Sequence, residues 1–63
     1  MRIDKNKKIY QFTDLDKTTQ LIAVTNVRDH IENYFLTDDE IVKILTHDLY
    51  EFNSDGSIYF ENN

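Results

Sequence analysis

The chain has 63 residues and contains no cysteine, no proline, no tryptophan and a single glycine. Without cysteine there is neither a disulfide to brace so short a chain nor a thiolate to bind a metal. One glycine leaves no material for a glycine-rich phosphate loop. No apolar run approaches the roughly 20 residues that cross a bilayer, and the N-terminus lacks the apolar core of a secretory signal. No membrane partner is expected, and the expected compartment is the cytoplasm. A domain of this size buries only about 60% of its unfolded surface, which leaves a homodimer or a partner protein as the remaining source of extra burial. Abundant Ile, Asn, Lys and Asp match an AT-rich coding sequence, as in a low-GC bacterium or one of its phages.

What is present is charge, and it is unevenly placed. Residues 1–8 carry Arg2, Lys5, Lys7 and Lys8 against Asp4, a sum of plus three. Residues 29–61 carry nine acids (Asp29, Glu32, Asp38, Asp39, Glu40, Asp48, Glu51, Asp55 and Glu61) against Lys43 alone, a sum of minus eight. A basic lead-in, residues 1–8, extended or frayed, thus precedes an acidic body, residues 9–63, read as one domain.

The strongest local signal is Leu36-Thr37-Asp38-Asp39-Glu40-Ile41. Thr37 and Glu40 have the spacing of a capping box, Leu36 and Ile41 that of a hydrophobic staple, and three acids sit where the helix dipole favours negative charge. This predicts a helix from Asp38 to Thr46 or His47, with Ile41, Ile44 and Leu45 on its apolar face. A preceding helix is expected from Thr25 or Asn26 to Phe35 or Leu36, because Val27, Ile31, Tyr34 and Phe35 fall on one stripe. Ile9–Thr13 and Gln20–Thr25, rich in β-branched and aromatic residues, read as two strands of a hairpin joined by the polar segment 14–19. A closing hairpin is expected where Tyr50-Glu51-Phe52 and Ser57-Ile58-Tyr59-Phe60 flank Asn53-Ser54-Asp55-Gly56. The expected fold is therefore α+β: a small two-layer domain with a β-hairpin, two short helices and a C-terminal β-hairpin, in the order ββααββ. Its core would draw on Phe12 or Ile9, Ile22, Val24, Ile31, Phe35, Ile41, Ile44, Leu45, Ile58 and Phe60.

Candidate chemistry is sparse. His30 neighbours Asn33 and Tyr34 along a helix, neither a nucleophile nor a metal-ligand spacing, and His47 suits a helix C-terminus. Asp14-Leu15-Asp16-Lys17-Thr18 begins like a calcium loop, but Thr19 and Thr25 stand where the glycine and the bidentate acid are required. A helix-turn-helix reading would present Asp38, Asp39 and Glu40 to phosphates, which repel them. No catalytic residue, metal or cofactor is assigned, and the chain is not read as an enzyme.

The charge pattern and the surplus of aromatics point instead to a small acidic interaction module. In this reading it binds a basic, nucleic-acid-binding surface of a larger protein, as a phage-type inhibitor or regulator that imitates DNA does. Asp38, Asp39, Glu40, Asp48 and Glu51 are the candidate charged surface, and Tyr34, Tyr50 and Tyr59 the candidate anchors. In the alternative, a regulator touches nucleic acid through its basic N-terminal arm and exposed aromatics such as Tyr10, Phe12 or Tyr59.

Overall fold

The computed structural model describes residues 1–47 and 50–60. Two strands open the chain, β1 (Arg2–Asp4) and β2 (Lys7–Gln11), paired antiparallel with Arg2 opposite Ile9 and Asp4 opposite Lys7. Lys5 and Asn6 form the turn, both at positive φ (50° and 67°), the left-handed pair that a two-residue hairpin requires. A 3-10 turn over Phe12–Asp14 leads to helix α1 (Lys17–Ile31), and a short loop leads to α2 (Asp38–His47). Strand β3 (Glu51–Phe52) then adds to β2, giving a three-stranded antiparallel sheet in the order β1-β2-β3. The fold is a small α+β domain with two helices.

Several expectations are corrected. Gln20–Thr25 is the middle of α1, not a strand. Asp14–Thr19 therefore does not join a hairpin; Asp16 caps α1, its carboxylate accepting the Thr19 N–H at 2.7 Å. The stripe that packs is Ala23, Val24 and Val27, buried, with Ile31 half-buried, while Leu21 and Ile22 face outward. The first helix also stops earlier than its apolar spacing implies. Glu32 enters the left-handed region (φ 53°), its N–H reaches the Asp29 carbonyl and the Asn33 N–H reaches that of Arg28, a Schellman ending with glutamate in glycine's usual place. The C-terminal hairpin is reduced to β3 and a single bridge from Phe52 to Ile58 across the 53–56 turn.

The α2 start is as its sequence implies. Thr37 Oγ1 accepts the Glu40 N–H at 3.3 Å, and the Glu40 carboxylate accepts the Thr37 N–H at 3.1 Å. Ile41 and Leu45 are buried, Ile44 is half-buried, and Leu36 packs against the cluster that contains Ile41.

The core cluster joins Phe12, Leu15, Ala23, Val24, Val27, Ile41, Leu45 and Phe52, so both helices close on one face of the sheet. Ile22, Phe35 and Phe60, expected inside, are exposed. Ile9 is buried apart from that cluster. By strand register it shares the opposite sheet face with Arg2, Asp4, Lys7, Gln11 and Glu51.

Candidate functional site

On that opposite face the N-terminal cations have partners within the molecule. The Arg2 guanidinium donates twice to the Glu51 carboxylate, at 2.5 and 2.7 Å. The Tyr59 hydroxyl donates to Asp4 at 2.7 Å, and its ring lies within 6 Å of both the Arg2 guanidinium (5.8 Å) and the Lys7 ammonium (5.6 Å). Tyr59, Arg2 and Glu51 are thus linked on the sheet face where Arg2 lies opposite Ile9, and residues 2–4, expected as a lead-in, are a paired strand of the domain. Tyr50 is half-buried against the core and stands edge-on to His30 at 6.4 Å. His30 also meets Phe60 at 5.4 Å, an aromatic grouping that their wide separation in sequence conceals.

The eight candidate residues therefore divide. Glu51, Tyr50 and Tyr59 serve the sheet and the core edge, and Asp48 lies outside the described residues. Tyr34, Asp38, Asp39 and Glu40 stay together, on the α1–α2 loop and the first turn of α2, all exposed.

That loop carries the residue whose position sequence reasoning misses. Phe35 is 98% exposed and Tyr34 66% exposed, although both fall on an apolar stripe if the helix is continued through them. The backbone that presents them is nonetheless held. Asn33 Oδ1 accepts the Phe35 N–H at 3.1 Å, an Asx turn that fixes the direction of the chain after α1. Arg28, projecting from α1, donates to the Leu36 carbonyl and forms an ion pair with Asp38. The capping box fixes Thr37 immediately afterwards. The result is an aromatic pair on a braced loop beside three carboxylates, with Asp39 and Glu40 presented to solvent.

A cleft of about 470 Å³ lies between the 3-10 turn, the end of α2 and β3, lined by residues including Phe12, Leu45, His47 and Glu51. Glu51 already holds Arg2 there, and the Thr46 hydroxyl beside His47 donates to the Lys43 carbonyl. Among the described residues no group of three or more His, Asp or Glu side chains could hold a metal ion, and no helix is long and apolar enough to cross a membrane. The chain matches no protein-family model, no curated protein and no solved structure.

Several carboxylates are held below the usual range by hydrogen bonds to their charged form. The N-terminal ammonium and then the Gln11 N–H lower Asp14; the Thr19 hydroxyl and N–H lower Asp16. The Thr37 N–H and hydroxyl lower Glu40, Arg2 lowers Glu51, and the Ser57 hydroxyl and N–H lower Asp55. Each folded-state pKa lies below its unfolded value, so each contribution is complete above the unfolded pKa and is lost as pH falls through the folded one. Melting temperature should therefore change little through these groups above about pH 5 and fall steadily below about pH 4. Calorimetry across that range checks it; an equal melting temperature at the two ends would contradict the assignment.

Proposed function

We propose that the chain is an acidic interaction module that docks on a larger protein through the α1–α2 loop. The Phe35 ring enters an apolar pocket of the partner, Tyr34 packs at its edge, and Asp39 faces lysines and arginines on the rim, with Asp38, paired with Arg28, and Glu40, held in the Thr37 cap, adding negative potential beside it. A basic groove that otherwise holds nucleic acid supplies such a rim, which keeps the inhibitor or regulator reading of the acidic body.

The observation that carries this is Phe35, bare to solvent on a backbone fixed from both sides. Burying a phenylalanine ring is worth about 1.5–3 kcal/mol, and a fixed backbone avoids the ordering cost a floppy loop would incur on binding. Neighbouring carboxylates add steering and selectivity for a cationic partner more than raw affinity. The alternative, nucleic acid held by the N-terminal cations, has less support because Arg2 already pairs with Glu51 and both Arg2 and Lys7 lie against Tyr59.

The test compares wild type with Phe35→Ser and Asp39→Lys in tagged capture from a bacterial or phage-infected lysate. Removing so exposed a ring should leave the circular dichroism spectrum and melting temperature unchanged, while affinity for a captured basic protein falls by about 10- to 100-fold. Asp39→Lys should weaken the same complex and reduce its salt dependence. Since the chain has no tryptophan, Phe35→Trp provides a single tryptophan, excited apart from the tyrosines, whose emission should shift to the blue on adding that protein. A complex indifferent to Phe35→Ser would remove the proposal's basis.

A further inference from the structure

Strand β1 is the outer edge of the sheet, and it holds Ile3 at 66% exposure beside Met1 at 60%. The two-residue turn makes Asp4 and Lys7 the pair that exchange both backbone hydrogen bonds. Antiparallel alternation then directs the N–H and C=O of Arg2 and Asp4 toward β2 and those of Ile3 away from it. The edge thus offers one outward donor and acceptor at the centre of the strand, with an exposed apolar side chain on the same residue.

We propose that this edge pairs with its equivalent on a second copy of the chain, antiparallel and centred on Ile3. In that register Ile3 faces Ile3 of the second copy and exchanges both backbone bonds with it. Each Arg2 then lies opposite the other copy's Asp4, so the strand Arg2-Ile3-Asp4 is charge-complementary to itself under a two-fold rotation. A register shifted by two residues loses both charge pairings, and a parallel arrangement places Arg2 against Arg2. Met1 lies diagonally across from Ile3, which extends the apolar contact, and the two three-stranded sheets join into a single continuous one. Self-pairing removes an exposed edge from a chain too small to cover it otherwise. It leaves the α1–α2 loop available, so the assembly would present two loops, one on each copy.

The test is the oligomeric state and its response to charge. Wild type should sediment as a dimer at millimolar concentration and dissociate on dilution. Arg2→Asp sets a carboxylate against the other copy's Asp4, and Asp4→Arg sets a guanidinium against the other copy's Arg2, so each variant alone should lose about tenfold or more in self-association. An equimolar mixture of the two restores both opposite-charge pairs and should form a heterodimer. Both variants also disturb bonds within the molecule, so Ile3→Pro is the independent arm. It removes the outward N–H together with the isoleucine side chain, leaves Arg2 with Glu51 and Asp4 with Tyr59, and should give a folded monomer. Ile3→Cys, the only thiol in the chain, should cross-link with its equivalent under mild oxidation, because directly opposed hydrogen-bonded residues have Cα atoms about 5.5 Å apart. A monomeric wild type at millimolar concentration would overturn the proposal, as would a dimer that survives Ile3→Pro. A dimer dissolved by Phe35→Ser and not by Ile3→Pro would move the contact to the loop.

Discussion

Replacing Phe52 with alanine should leave most molecules unfolded at room temperature. Phe52 is fully buried, sits at the junction of β3 with the helices, and meets Phe12 edge-to-face with centroids 6.3 Å apart. It is also the residue through which β3 pairs with Tyr10 of β2 and, on its other side, with Ile58. Truncating a buried phenylalanine costs about 3–5 kcal/mol, and a chain of 63 residues has about 3–9 kcal/mol in all. The lower half of that range is the relevant one, since no disulfide compensates for the small core. Phe52→Leu keeps most of the apolar volume and should remain folded, with a melting temperature lowered by roughly 4–8 °C, from a loss of about 1 kcal/mol. Urea titration by circular dichroism distinguishes the outcomes. A cooperative alanine variant with wild-type midpoint would mean that the sheet and helices do not depend on this ring.

How much of this is legible follows from where each signal lies in the chain. The α2 start can be read because every part of it is local: Thr37, Glu40, Leu36 and Ile41 lie within six residues and make the bonds that their spacing implies. The α1 region misleads because Gln20–Thr25 is almost continuously apolar, and Leu21 and Ile22, which the fold leaves outside, blur the helical period. The decisive mark is Asp16, an N-cap whose Thr19 partner lies in a segment that reads as a loop. At the other end, glutamate at a left-handed position carries no stop signal, since glycine or asparagine is what marks such an ending. The turn at Lys5-Asn6 is hidden for the same reason, with lysine at the first positive-φ position.

The candidate site is half legible. The acids of the first α2 turn follow from the helix signal, and so does their exposure. Phe35 escapes because a residue's place on a helical stripe has no meaning once the helix ends at Ile31. Glu51 and Tyr59 read as surface because their partners, Arg2 and Asp4, lie 49 and 55 residues away, beyond any local pattern. Long-range pairing of this kind turns a basic arm and an acidic body, separate in sequence, into two sides of one sheet face.

Gly56→Ala should produce the second large loss, and its cause lies in α1 and not in a hairpin. The Asp-Gly pair of the 53–56 turn suggests the centre of a two-stranded ribbon, yet what the glycine permits is a close approach. Gly56 has φ +89°, and a Cβ there would stand 3.0 Å from the Thr19 carbonyl oxygen and 3.1 Å from Ile22 Cγ2. Its own carbonyl accepts the Asn26 side-chain amide at 2.9 Å, so the turn is seated on α1 at both ends of the contact. Relief requires moving helix backbone, because the nearest atom is a carbonyl and not the tip of a flexible side chain. Strain at such a φ costs about 1–3 kcal/mol before that displacement is counted. The melting temperature should drop by roughly 10 °C or more, since about 1 kcal/mol moves it by about 4–8 °C at this size. Ser54→Ala, exposed in the same turn, should change it little. Asn26→Ala should fall between the two, because it removes the hydrogen bond without introducing an atom. If Gly56→Ala melted like Ser54→Ala, the turn could not be seated on α1 in the manner described.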